Sequence, residues 1–195
     1  MKGLRVGAAM CGSFCTFSQI MPQIRRLAEM GCEVYPIMSP AAYETDTRFG
    51  KAAEWRSELE AATGRVVWHT LPDVEPIGPR KLLEVMLVAP CTGNTLAKLA
   101  AGISDTSVTM ACKSHLRNGR PVVLAISTND ALSASARNIG QLMNRRDIYF
   151  VPFGQDDPFE KPCSCSANFA LLYESVMAAR EGRQLQPSLS AAAAL

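Results

Sequence analysis

The absences in this sequence narrow the field first. No apolar run approaches the roughly 18–20 residues that a membrane-spanning helix needs. No sign of charge dominates: 20 Lys and Arg stand against 18 Asp and Glu, a formal charge of +2. That balance gives no electrostatic ground for a general nucleic-acid or anionic-membrane partner. Histidine is scarce, limited to His69 and His115, and neither sits in a ligand pattern. The seven cysteines form no CxxC pair, so no zinc site is expected and no metal is assigned. Their odd count argues against a disulfide framework, and most are expected to be small buried hydrophobes. Neither GxGxxG nor GxxxxGK[ST] occurs, which disfavours a dinucleotide or nucleoside triphosphate ligand.

What remains is a globular composition. The 195 residues are 48% hydrophobic and 19% charged, enough for one large domain. The start, MKGLRVGAAMCGSF, opens like a secretory signal but carries Arg5 and turn residues where an unbroken apolar region should be. The expectation is a soluble, cytoplasmic protein.

Short apolar runs alternate with helix-period segments. Strands are expected at 4–9, 33–38, 65–68, 85–89, 122–126 and 148–151. The run 85–89 is continuously apolar, as in a strand covered on both faces. Phe17, Ile20, Met21, Ile24 and Leu27 recur at steps of three and four and predict a helix ending at Gly31. Further helices are expected over about 47–62, from Asn94, over 107–116, around Ile139 to Met143, and from Phe169 to Met177. Three prolines assign 70–80 to a loop, and Pro90 is expected to stop its strand. The alternation predicts an α/β fold, a doubly wound and mostly parallel sheet of Rossmann-like or flavodoxin-like type, with helices on both faces. It is expected as a single domain over 1–182, with 183–195 a flexible tail.

In such sheets ligands bind beyond the carboxyl ends of the strands. Four strand ends carry small polar residues: Gly12 and Ser13; Ser39; Pro90, Thr92, Gly93, Asn94 and Thr95; and Ser127, Thr128 and Asn129. Hydroxyls and amides at helix starts suit a phosphate, and an Asn amide can read the edge of a planar ring. These positions form a candidate mononucleotide site. The plain alternative is that they are turns and helix caps, with Asn94 as an N-cap.

The stretch MLVAPCTGNTLAKLAAGISD resembles the signature of the homo-oligomeric flavoprotein decarboxylases that bind flavin mononucleotide (FMN). Pro90, Asn94, Thr95, Lys98, Ala100, Gly102 and Asp105 match it. Two features depart from the family pattern. Where its decarboxylases place a catalytic histidine this chain has Pro76, and His69 lies seven residues earlier. The later Pro-x-Met-Asn-x-x-Met-Trp motif is missing, with only Asn129 matching its Asn. The segments from EPIGPRKLLE to SARNIG and from IYFVPFG to KPCS resemble a narrower group, the dipicolinate synthase B subunits. That resemblance implies oxidation of a dihydro- or tetrahydrodipicolinate-type ring to pyridine-2,6-dicarboxylate during endospore formation, in the mother-cell cytoplasm. It also implies a partner A subunit carrying NAD(P), and a homo-oligomer, trimeric or dodecameric.

On that basis FMN is expected across the strand ends, its phosphate at Gly12, Ser13 and Ser39 and its ring or ribityl chain at Thr92, Asn94 and Ser127. Lys98, Lys113, Arg117 and Arg137 are candidates for the substrate carboxylates. His115 and Lys113 are the weak catalytic candidates, with an exposed or helix-capping His115 the alternative. Residues 155–165 are expected as a long ordered loop, either a lid or subunit contact or a plain connector. Two other functions stay open: a non-catalytic scaffold with a vestigial flavin pocket, and an independent FMN-dependent decarboxylase.

Overall fold

The computed structural model describes residues 3–190. Five strands lie parallel: β1 (Leu4–Met10), β2 (Cys32–Met38), β3 (Val85–Cys91), β4 (Val122–Thr128) and β5 (Ile148–Phe150), in the order β2-β1-β3-β4-β5. The order reverses between β1 and β3, so the switch point lies at their carboxyl ends. The expected parallel α/β architecture is what the chain adopts.

Helices cover both faces, which explains the unbroken apolar strands: every residue of β3, and every residue of β4 before Thr128, is buried. On one face pack α1 (Phe17–Glu29), α3 (Ala52–Thr63) and α8 (Leu172–Arg180). On the other lie α5 (Gly93–Ala101), α6 (Ser107–Leu116) and α7 (Ala136–Met143), with the short α4 (Leu71–Val74) against α6. A further short helix, α2 (Pro40–Glu44), follows β2. Helix α1 buries Phe17, Ile20, Met21, Ile24 and Leu27, the apolar stripe its spacing predicts. Just beyond its end Gly31 takes a positive φ of 88°, which a side chain would resist.

Several expectations need correction. Residues 65–68 form no strand: only Trp68 bridges β2, at Ile37, and Val66 is 74% exposed. The supposed 70–80 loop contains α4 and a 3-10 turn at Glu75–Ile77. Pro72 and Pro76 sit at first-turn positions, where a missing N–H costs little, and Pro79 lies in the turn that follows. Helix α3 starts at Ala52 rather than near Thr47, because Thr47 and Gly50 close a turn. Pro90 does not stop β3. The strand continues to Cys91 through a register shift after Val88, and the Pro90 carbonyl accepts from Cys11 N at 3.3 Å.

An antiparallel hairpin was not anticipated. Strands β6 (Phe153–Gln155) and β7 (Cys165–Ala167) pair, and β7 pairs in turn with Ser127 and Thr128 of β4. The expected 155–165 loop is largely the connection of this hairpin, which hangs from the carboxyl end of β4. Residues 183–190, expected as part of a mobile tail, are instead docked. Phe153 N donates to Ser188 O at 3.2 Å and Ser190 N to Phe153 O at 2.9 Å. The rest of that expected tail, 191–195, lies outside the described residues.

Candidate functional site

The ends of β1, β2 and β3 open into one cleft. After β1 the chain turns sharply, with Ser13 N donating to Cys11 O at 2.8 Å. The Ser13 hydroxyl lies 2.6 Å from the Ser127 hydroxyl. Because β3 lies between β1 and β4, this bond bridges over the end of β3. After β2, Ser39 caps α2: its Oγ accepts from Ala42 N at 3.2 Å. After β3, Thr92 caps α5, accepting from Thr95 N at 3.3 Å. Thr92, not Asn94, is therefore the cap.

That difference in position frees Asn94. It sits in the first turn of α5, exposed, and its amide makes no hydrogen bond among the described residues. The cleft holds about 460 Å³ and is lined by Gly12, Ser39, Thr92, Asn94 and Thr95, with Cys11, Pro40, Ala41, Lys98 and Thr106 completing it. This volume lies within the ordinary range for ligand sites, about 300–1,000 Å³. Below Thr92 runs a polar chain, Thr92 Oγ1 to Thr95 Oγ1 at 3.2 Å and Thr95 Oγ1 to Cys11 Sγ at 3.2 Å. Burial pushes the Cys11 thiol up to about 11, against the opposing hydrogen bond from Thr95. It stays protonated near neutrality and lines the cleft as an uncharged group.

The remaining expected site residues stand behind or beside this wall. Pro90 is buried within β3. Gly93 is pressed against a polar cluster in which Asp130 Oδ1 accepts from Thr128 Oγ1 at 2.6 Å and Ser135 Oγ at 2.9 Å. A Cβ on Gly93 would lie 2.7–2.8 Å from Ser135 Oγ, Asp130 Oδ1 and Thr128 Oγ1. Asn129 is exposed and does not line the cleft. Sequence reasoning missed the Asp130 and Ser135 buttress; the signal available was the cluster of short polar residues from 127 to 135.

The cation candidates separate. Lys98 lines the cleft, with its Nζ held 2.8 Å from both carboxylate oxygens of Asp105. The Lys98 hydrogen bond holds the Asp105 carboxyl below its usual value. Lys113 and Arg117 line a different cavity, and Arg137 is exposed on α7. His115 is neither exposed nor in the cleft. It is buried at the opposite end of the sheet, beside the backbone of Pro121 and Glu84 ahead of β4 and β3, and its Nε2 has no hydrogen-bond partner among the described residues. Burial, helped by Arg120, pulls its pKa from 6.5 to about 4. His69 stacks on Tyr43, with ring centroids 3.6 Å apart, and is not part of the cleft lining. Among the described residues no three His, Cys, Asp or Glu side chains gather as a metal site, and no helix is long and apolar enough to cross a membrane.

Comparison with known proteins identifies the family. The Flavoprotein family model matches residues 1–178. The chain is 45% identical to the dipicolinate synthase B subunit of Bacillus subtilis (strain 168), over 97% of this chain and 94% of that one. The crystal structure of the dipicolinate synthase B subunit from Bacillus halodurans C superposes with a TM-score of 0.90, at 42% identity and 98% coverage of both chains. A more distant structure, AnUbiX in complex with FMN and dimethylallyl pyrophosphate, shares the fold at a TM-score of 0.60 and 21% identity, over 77% of this chain and 78% of that one. The chain belongs to the Flavoprotein family and is similar, within it, to the dipicolinate synthase B subunits.

Proposed function

We propose that the cleft binds FMN and that the protein acts as the B subunit of an oxidoreductase making pyridine-2,6-dicarboxylate. The substrate is a dihydro- or tetrahydrodipicolinate-type ring, and an A subunit carrying NAD(P) is the partner. The setting is the mother-cell cytoplasm of a sporulating bacterium, with the chain assembled as a homo-oligomer, a trimer or dodecamer. The observation that carries this reading is the convergence of three strand ends on one cleft whose polar lining is mostly hydroxyl and amide.

That donor set fits a phosphorylated planar heterocycle. The Gly12 and Ser39 loops and the first turn of α5 offer amides and hydroxyls for a phosphate. Asn94, with both amide ends unengaged, suits a ring edge or ribityl hydroxyls. Ser13 and Ser127 set the rim by holding the β1 and β4 loops together. When bound, flavin would supply a two-electron acceptor, sufficient for a dihydro ring that becomes aromatic on losing one hydride and one proton; a tetrahydro ring needs two such oxidations. The chain's own part is orientation and charge compensation. Lys98 is the one cation of the four candidates placed for a substrate carboxylate in the cleft, which would draw it from Asp105.

The independent decarboxylase reading is weakened by the placement of both histidines outside the cleft. The scaffold reading draws on the same fact, since among the described residues no carboxylate or imidazole lines the cleft to move protons. Purification separates these. Flavin absorbance in the pure protein, released as mononucleotide on denaturation, supports the oxidoreductase. Co-purification with the A subunit and ultraviolet detection of dipicolinate, with and without FMN, then tests the reaction. A colourless protein that takes up no flavin, yet supports full activity with the A subunit, establishes the scaffold.

A further inference from the structure

Two basic residues that sequence reasoning assigned to the substrate, Lys113 and Arg117, lie outside the cleft. They line a second cavity of about 380 Å³ on the far side of α5. Leu99, Ile103 and Leu116 form its apolar walls, and Arg145 faces in from the end of α7. The two cavities share a partition: Lys98 and Thr106 face the cleft, while Leu99 and Thr109 face this one.

The charge arrangement here is one-sided. Among the described residues three cations line the cavity and no carboxylate does. Lys113 in the last turn of α6 and Arg117 at its C-cap are four apart, a like-charge spacing that works against a helix. The carboxyl-terminal end of α6 explains why cations are tolerated there, but not why three meet around one apolar hollow. Their donors are only partly used. Arg145 Nη1 donates to Leu99 O at 3.1 Å, leaving most of the five guanidinium donors. Lys113 Nζ reaches Ser104 Oγ at 3.2 Å, and the Arg117 guanidinium makes no ion pair among the described residues.

We propose that this cavity is a second small-molecule site, for a compact organic anion with an apolar body; a ring dicarboxylate is the class that uses all its parts. The ring meets Leu99, Ile103 and Leu116. One carboxylate meets Lys113 and Arg117 on α6, and the other meets Arg145 across the hollow. An inorganic anion would use the charges and leave the apolar walls without a partner. The site stands independently of flavin binding in the cleft.

The test is titration of the full chain with pyridine-2,6-dicarboxylate and with benzene-1,3-dicarboxylate, which lacks the chelating nitrogen. Affinity is read by calorimetry and location by amide chemical-shift changes. Expected are saturable binding of both, shifts centred on residues 99–103 and 113–117, and weak or no binding of inorganic phosphate and of uncharged benzene-1,3-dicarboxamide. Arg117→Gln, at an exposed position, should weaken the dicarboxylates about tenfold, the size of one charge-assisted hydrogen bond, with the thermal midpoint unchanged. Shifts confined to Asn94, Thr95 and their cleft neighbours would place the ligand in the cleft and overturn the proposal. So would phosphate binding as tightly as the dicarboxylates, an Arg117→Gln variant of undiminished affinity, or no binding at all. Failure of flavin to bind the cleft would not move any of these readouts.

Discussion

At the scale of single residues, Gly93 and His115 show how packing overrides simpler expectations. Replacing a helix glycine with alanine ordinarily gains up to about 1 kcal/mol. Here the new methyl would press within 2.7–2.8 Å of three oxygens. The Asp130 carboxylate among them is held by two hydroxyls and cannot retreat freely. Gly93→Ala should therefore destabilise, by about 1–3 kcal/mol as overpacking does; a raised thermal midpoint would contradict this. His115 gives a pH signature of known sign. Its folded pKa of about 4 lies below its ordinary 6.5, so between those values the unfolded chain binds more protons. The stability it contributes is complete above about pH 6.5 and is lost as the pH falls towards 4, by at most about 3 kcal/mol. Chemical denaturation from pH 7 to 4 should show that loss reduced in His115→Gln. Equal slopes in the two proteins would show that the burial of His115 does not matter to stability. Sequence offered little warning of the burial, because LysSerHisLeuArg reads as an exposed helix end.

At the scale of elements, legibility followed periodicity. Strands β1 to β5 and helices α1, α6 and α7 were readable because each buries an unbroken run or a regular stripe. Elements held by local capping were not. Helix α4 depends on a box in which Thr70 Oγ1 and Asp73 Oδ2 satisfy each other's backbone amides, and its prolines disguised it as loop. The β6–β7 hairpin has three residues per strand, too few for alternation to register. The start of α5 was misplaced because Thr92 and Asn94 are both competent caps; only the extra strand residues through Cys91 decide between them. The carboxyl-terminal stretch lacked periodicity because it docks by polar contacts. Gln184 accepts from Phe150 N at 2.8 Å and donates to Phe150 O at 2.6 Å. Truncation after Gly182 should leave these β5 groups unpaired and lower the thermal midpoint, by about 2–4 °C for each kcal/mol lost. An unchanged midpoint would mean that the docking contributes no stability.

At the scale of the whole molecule, the parallel sheet reverses its order at β1 and β3, and this places the loops after β1, β2 and β3 around one opening. Of the residues expected around a ligand, Gly12, Ser39, Thr92, Asn94 and Thr95 on these loops line the opening, whereas Ser13, Ser127, Thr128 and Asn129 do not. Those that failed to reach the cleft failed for reasons of depth, with Pro90 inside the strand and Gly93 against its buttress, or of distance, with His115 at the far end of the sheet. The proposed occupant of this opening is flavin mononucleotide, with Asn94 a direct contact that the fold does not need. The most direct measurement is FMN titration of the apoprotein by fluorescence quenching, beside Asn94→Ala. Saturable binding of one FMN per chain is expected. The variant should lose about tenfold in affinity, the size of a hydrogen bond or two, with identical thermal unfolding of the two apoproteins. No saturable uptake of FMN, or equal affinity in the variant, would contradict this assignment.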